Sequence, residues 1–226
     1  MNVKPLLTLS FFCLISFKAQ SQTSWDSTYR PGLYEFEEQL YESYPHAKTD
    51  IVFLGNSITD RVDWNELLAM SNVHNRGISG DITFGVLQRL HEVIGGHPAK
   101  VFILIGINDI SRNIPDSIIL NNYRKIIERI KAGSTLTHIY FQTLLPVNNE
   151  FTQFKSHYNK DEHILWLNDQ LKILGKKEKI TVINLYPHFL NDQKKLDKKY
   201  TLDGLHLNAE GYKVWAVILK KYLNEK

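Results

Sequence analysis

Cysteine is nearly missing from this chain: Cys13 is the single example among 226 residues. One thiol forms no internal disulfide, and Cys13 falls in a leader expected to be removed. The mature protein is therefore expected to have neither a disulfide framework nor thiol chemistry. A strong charge of either sign is missing too. The 27 Lys and Arg face 24 Asp and Glu, and without Lys4 and Lys18 the excess shrinks to one positive charge. That near-neutrality gives no electrostatic case for a nucleic-acid partner. Long apolar runs are absent: the longest, Leu6 to Phe17, is well short of the roughly 20 residues that a bilayer span needs. No internal repeat, low-complexity tract or long linker interrupts the chain. None of the histidines shows a metal-ligand spacing such as H-E-x-x-H. His46, His74, His91, His97, His138, His157, His163 and His188 read as surface or loop residues, and a mechanism with no metal and no cofactor is expected.

The first residues have the layout of a secretory signal peptide. Lys4 precedes the apolar run, and Ala19-Gln20-Ser21 supplies small residues around a polar spacer. Cleavage after Ser21 is expected, which makes residues 1–21 a signal peptide, leaves no integral membrane segment, and directs the chain to the periplasm or the exterior. Phe12 before Cys13 argues against lipid attachment at that cysteine. With 43% hydrophobic residues, the rest suits one compact core. Residues 22–49 read as an N-terminal extension whose stretch 31–42 holds a short helix with Leu33, Phe36, Leu40 and Tyr41 on its apolar side. The main domain is residues 50–226. The run Lys194-Lys195-Leu196-Asp197-Lys198-Lys199 reads as a solvated loop.

From residue 50 onward the pattern alternates. Short apolar runs at 50–54, 100–105, 137–143 and 180–185 read as strands, and a weaker one at 72–75 completes five. Helical periods occupy 83–94, 116–131, 161–175 and 208–223. In the last, Val214, Trp215, Ile218, Leu219 and Tyr222 share a face and Asn208 is the natural N-cap. Strands apolar throughout, separated by amphipathic helices, imply an α/β domain with a parallel sheet covered on both faces. Ligands in such sheets sit beyond the carboxyl ends of the strands, where this chain's unusual residues fall: Ser57, Gly77, Gly80, Asn108, Asp203 and His206.

Those residues carry a coherent chemistry. Ser57 ends the stretch Ile51-Val52-Phe53-Leu54-Gly55-Asn56-Ser57, and a free hydroxyl there needs a base to act as nucleophile. His206 supplies one, and Asp203, three residues earlier, can fix its tautomer. Gly77-Ile78-Ser79-Gly80-Asp81 and Gly106-Ile107-Asn108-Asp109 can offer donors to an oxyanion. Taken singly, Ser57 reads as a helix cap, His206 as a turn histidine and Asp203 as a turn former. Gathered on one rim, they read as a serine hydrolase. The G-x-S-x-G elbow is absent, since Thr59 occupies the second glycine position, and acid and base share one loop. Both features point away from the α/β-hydrolase architecture. Arg61, Trp64, Arg112 and Phe151 lie near the rim in sequence and are candidates for pocket lining or for packing.

The ordered set Gly55-Asn56-Ser57, Gly80, Gly106-x-Asn108-Asp109 and Asp203-x-x-His206 resembles the blocks of the SGNH hydrolases, the GDSL esterase/lipase family. The resemblance covers roughly residues 50–224. The flanking residues are similar to those of bacterial relatives of platelet-activating-factor acetylhydrolase and of sialate or carbohydrate O-acetylesterases. The resemblance implies a flavodoxin-like three-layer α/β/α sandwich. It further implies Ser57 as nucleophile and, through its N–H, an oxyanion donor. Gly80 through its N–H and Asn108 through its side-chain amide would be the other two donors. His206 would be the base, oriented by Asp203, while Gly77 serves the turn. Asn56 replaces the acid usual before the serine and removes a negative charge beside it. The expected activity is removal of a small acyl group, acetyl above all, from an O-acetylated carbohydrate or sialate. The rivals are a lysophospholipase- or thioesterase-type lipid esterase, with residues 144–160 shaping its groove, and a catalytically silent carbohydrate-binding module. Either a monomer or a homodimer fits the sequence.

Overall fold

A computed structural model describes residues 25–225; the expected signal peptide and its cleavage point lie outside the described residues. The chain runs α1 (Tyr34–Ser43), β1 (Ile51–Gly55), α2 (Ser57–Asp60), α3 (Trp64–Leu68), β2 (Val73–Gly77), α4 (Thr83–Gly96), β3 (Lys100–Leu104), α5 (Ile107–Ser111), α6 (Asp116–Gly133), β4 (His138–Gln142), α7 (Asp161–Glu178), β5 (Thr181–Ile183) and α8 (Ala209–Leu223). Every strand pairing is parallel, in the order β2-β1-β3-β4-β5. This is the flavodoxin-like doubly wound order, with β1 and β3 at the point where the winding reverses. The α/β sandwich expected from the sequence is therefore the fold observed. Among the described residues, no helix is long and apolar enough to cross a membrane.

The two sheet faces are packed with different side chains, as a period of two requires. Phe53, Phe102 and Tyr140 are register partners on β1, β3 and β4. Their rings stack with centroids 5.0 and 4.5 Å apart. Trp64 of α3 stacks on Phe53 at 4.2 Å, and Trp215 of α8 meets Trp64 edge-on at 4.8 Å. The Trp215 indole N–H donates to Gln142 at 2.6 Å, so this large buried ring leaves no donor unpaired. The opposite face is covered by α4, α6 and α7, whose buried residues are largely aliphatic, with Tyr123 set against Phe141 at 4.7 Å.

Where the elements depart from expectation, a local cause is visible. β5 keeps three residues because Leu185 and Tyr186 leave the sheet to donate their N–H groups to Thr143 Oγ1. The helix of the extension does form, but Leu33 and Phe36 face solvent. Its anchors are tyrosine hydroxyls instead: Tyr34 donates to Gly85 O and Tyr41 to Gly77 O. Helix α8 is capped by Asn208 as expected, through Gly211 N. Its buried stripe runs Tyr212, Trp215, Leu219 and Leu223, with Val214, Ile218 and Tyr222 at the flank. At the amino end of β3, the Lys100 ammonium donates to the carbonyls of Tyr222, Leu223 and Glu225 and so ties down the end of α8.

Candidate active site

The carboxyl ends of β1, β2 and β3 and the loop before α8 meet around one cavity of about 520 Å³, lined by Ser57, Gly80, Asn108 and His206 among others. Each residue is held there by its own segment. Strand β1 ends at Gly55, where a Cβ would meet Leu104 O at 2.4 Å, so only glycine lets β1 and β3 lie this close. Asn56 then caps the short α2: its Oδ1 accepts from Ile58 N at 3.0 Å. That places Ser57 as the first helical residue, buried but lining the cavity. The cap at this turn is thus Asn56 and not Ser57. The Nδ2 of Asn56 is buried and has no partner among the described residues.

Gly80 follows β2 with φ of +86°, a conformation costly for any residue with a side chain. Gly77, expected to serve the turn, closes β2 with a different role: a Cβ there would collide with Asp60 N at 2.4 Å. Gly106, at φ +129°, redirects the chain after β3 so that Asn108 enters the cavity. Asn108 Nδ2 donates to Asp81 O at 2.9 Å, which leaves a second amide proton. Among the described residues, the backbone N–H groups of Ser57 and Gly80 have no protein acceptor. Unpaired donors of this kind suit charge that appears on a substrate oxygen.

Beneath these loops lies a buried ionic scaffold. Arg89 of α4 pairs with Asp81 at 3.0 Å and donates to Gly55 O and Arg76 O, so one guanidinium ties the ends of β1 and β2 to the Gly80 loop. Asp109 accepts from Thr83 N at 3.1 Å and from Thr83 Oγ1 at 2.5 Å, binding the Asn108 loop to the start of α4. Asn122 completes this group by donating to Thr83 Oγ1. Burial pushes the Asp81 carboxyl up to about 6, with Arg89 opposing the rise. Burial likewise pushes Asp109 up to about 7, with the bonds from Thr83 opposing it.

The other side of the cavity is built within seven residues. Thr201 and Leu207 bridge in antiparallel fashion, closing a turn that holds Asp203, Gly204 and His206. Thr201 Oγ1 accepts from Gly204 N and donates to His206 O. Asp203 Oδ1 accepts the N–H groups of Leu205 and His206 at 3.0 and 2.8 Å. Its Oδ2 lies 2.8 Å from His206 Nδ1, and His206 Nε2 lies 3.0 Å from Ser57 Oγ. An ionised Asp203 accepts only, so Nδ1 carries the proton and Nε2 is free to accept from the serine hydroxyl. Burial alone would raise Asp203, but the bonds from His206 and Leu205 hold it below its ordinary value. Burial lowers His206 below its ordinary 6.5; Asp203 opposes this and Arg61 adds to it.

All the residues singled out from the sequence, Ser57, Gly80, Asn108, Asp203 and His206, come together here. Arg61 and Arg112, the pocket candidates, do line the cavity, and Arg61 lies 3.7 Å from Asp203. Trp64 is core instead, and Phe151 packs behind Gly204. Other lining residues include Tyr29 and His157, which were not expected there, and Phe154, which falls in the 144–160 segment expected to shape a groove. Tyr29, from the extension, stacks under the Arg112 guanidinium. Phe154 presents its ring to His206 with centroids 4.9 Å apart. His157, read as a surface or loop residue, does lie in a loop, yet that loop folds over the site and brings Nε2 within 3.0 Å of Asn108 Oδ1. No periodic pattern marks these residues; the mixture of aromatic and polar residues in 144–160 was the one available signal. Among the described residues, Glu38, Glu42 and His91 could jointly approach a metal ion. They belong to α1 and α4, outside the cavity lining, where His91 already pairs with Glu42 at 2.5 Å.

The family model described as GDSL-like Lipase/Acylhydrolase matches residues 53–214. A Streptococcus pneumoniae structure named for platelet activating factor is 32% identical, covering 84% of this chain and 92% of its own, with a TM-score of 0.77. A Bacteroides fragilis acylhydrolase structure is 27% identical, covering 84% and 95%, with a TM-score of 0.75. An Escherichia coli protein named N-acylneuraminate cytidylyltransferase is 28% identical over 170 residues, 74% of this chain. The chain spans 38% of the length of that relative.

Proposed function

The chain belongs to the GDSL-like lipase/acylhydrolase family and is a carboxylic ester hydrolase, and from that premise we propose that it is an exported serine esterase that removes a short acyl group, acetyl above all, from an acylated carbohydrate or sialate. The observation that carries the mechanism is the unbroken relay from Asp203 Oδ2 through the His206 ring to Ser57 Oγ, at 2.8 and 3.0 Å. His206 takes the Ser57 proton as Oγ attacks the ester carbonyl. The oxyanion so formed is met by the N–H groups of Ser57 and Gly80 and the second amide proton of Asn108. His206 then passes its proton to the departing alcohol, leaving an acyl group on Ser57. In the second half, His206 activates water, which releases the acid and restores the hydroxyl.

The lining supports a small, polar substrate. Tyr29, Phe154 and Leu205 supply apolar surface beside serines, two arginines and two histidines, and a long acyl chain would want a continuous apolar groove. Two arginines and, among the described residues, no Asp or Glu line the cavity, which favours a substrate that carries a negative group, as a sialate does. The relative named for N-acylneuraminate is in keeping with that choice.

The test is a p-nitrophenyl ester series from acetate to decanoate on the mature protein and its Ser57→Ala variant, followed by O-acetylated sialate against a neutral acetylated sugar. Activity peaking at acetate, absent from the variant and greater on the acidic sugar is expected. A maximum at octanoate or beyond overturns the acetyl assignment in favour of a lipid ester. No Ser57-dependent hydrolysis of any ester overturns the mechanism.

A further inference from the structure

We propose that His157 is a positioning residue that sets the orientation of the Asn108 amide, donating from Nε2 to Asn108 Oδ1 so that the Nδ2 protons face Asp81 O and the cavity. The inference rests on Asn108 as an oxyanion donor, the reading given above. A side-chain amide can rotate end for end, and the flipped form would present an oxygen to the oxyanion, turning an attraction into a repulsion. Two contacts choose between the forms. Asp81 O, an obligate acceptor, lies 2.9 Å from one end and calls for Nδ2 there. His157 Nε2 lies 3.0 Å from the other end and must then be a donor.

The rest of the loop makes His157 such a donor. Ser156 Oγ lies 3.2 Å from His157 Nδ1, so its hydroxyl proton can point at Nδ1 and leave the ring proton on Nε2. His157 N donates to Phe154 O, and the Phe154 ring stands edge-on to both the His157 and His206 rings. One loop therefore steadies the general base and the amide donor together. Burial, with the positive charge of Arg112 and the nearness of His206, pushes His157 down to about 4. At neutral pH the ring is then uncharged, and it adds no cation that would raise the cost of protonating His206 during turnover. A protonated ring would still carry a proton on Nε2, so the positioning role does not itself depend on pH. By drawing on Oδ1, the bond also polarises the amide and strengthens its remaining N–H as a donor.

The experiment compares His157→Phe, His157→Gln and each combined with Asn108→Ala, using p-nitrophenyl acetate. His157→Phe keeps a ring but removes the donor; kcat is expected to fall about tenfold, the equivalent of one hydrogen bond, with KM little changed. Gln places an amide N–H near the Nε2 position and is expected to recover most of that loss. In the Asn108→Ala background, His157→Phe is expected to cost nothing more. Wild-type kcat in His157→Phe, a Gln variant as impaired as Phe, or losses that multiply in the double variant would each overturn the proposal. A readout free of turnover runs beside these. The 15N spectrum is expected to show His157 protonated at Nε2 and the Asn108 amide protons displaced in His157→Phe more than in His157→Gln. A ring protonated at Nδ1 alone overturns the proposal even if the wild-type protein hydrolyses no ester, a result that would separately defeat the functional reading.

Discussion

The two halves of the site are built in opposite ways. The half that would bind an oxyanion draws Ser57, Gly80 and Asn108 from the ends of three strands and relies on Arg89, Asp81, Asp109 and Thr83, all buried, to hold them in register. The half that would move protons is a single turn, with Asp203 accepting two backbone N–H groups of the same turn and the ring of its own histidine. The first half is tied across three strand ends by buried ionic bonds, and the second closes on bonds within its own turn. Damage to the first should therefore cost folding stability together with rate, and damage to the second should cost rate alone.

The sharpest separation comes from His206→Ala. Removal of the proposed base is expected to lower kcat by several orders of magnitude, ~10⁶-fold in a fully coupled triad. The urea midpoint should move by the equivalent of no more than about 1 kcal/mol. A collapse in stability would erase the distinction between the halves. On the other side, Arg89→Met strands the Asp81 carboxyl without its cation, and loss of roughly 3–5 kcal/mol is expected in urea unfolding. A wild-type midpoint in Arg89→Met would show that the scaffold does not hold the loops.

The two halves should also answer pH in opposite senses. With His206 as the proposed base, turnover would need its neutral form, so kcat/KM should fall as pH drops through a value below 6.5. Asp81 and Asp109 titrate near 6 and 7 when folded, against an ordinary 3.8. Between those limits the folded chain holds protons that the unfolded chain has released. Their contribution to stability is therefore complete below the ordinary value and is lost as pH rises through about 7. Urea midpoints that rise on acidification from pH 7 to 5, with a flatter slope in Asp109→Asn, would bear this out; an unchanged slope would count against it. The smallest effect belongs to Arg61→Ala. Arg61 depresses His206, so its removal should move the acid limb of the rate profile to higher pH. It should also raise KM for an acidic acetylated sugar more than for a neutral one.

How much of this was legible beforehand follows the same division. β1 and β3 are buried along their whole length and read directly as apolar runs. β2 carries His74, Asn75 and Arg76 at the sheet edge and gave only a faint signal. The residues of the three strand ends and the last turn were found because each sits in a short motif, and topology then explains why they meet. His157, Phe154 and Tyr29 reach the cavity through loops and an extension whose course depends on tertiary contacts alone. Tyr29, for instance, is placed by Arg30, which donates to Gln88 and to the carbonyls of Ser27, Tyr29 and Phe84. No local spacing encodes such a path. The face of α1 was read in part: Tyr41, expected on it, does bond to a carbonyl, as Tyr34 does, while the more hydrophobic Leu33 and Phe36 remain outside.

The path of that extension has a practical consequence for handling the protein. Tyr29 and Pro31 stand beside Gly80 at the substrate entrance, whereas Lys100 fastens the end of α8 at the opposite pole of the sheet. An affinity tag or surface linker joined at Trp25, which stacks on Phe84 at the start of α4, would begin on the side of the sheet that carries the cavity, and one joined at Glu225 would begin on the opposite side. Immobilisation through the carboxyl terminus should thus keep the catalyst open to bulk solution, while the same matrix at the amino terminus should act as a competitor for entry.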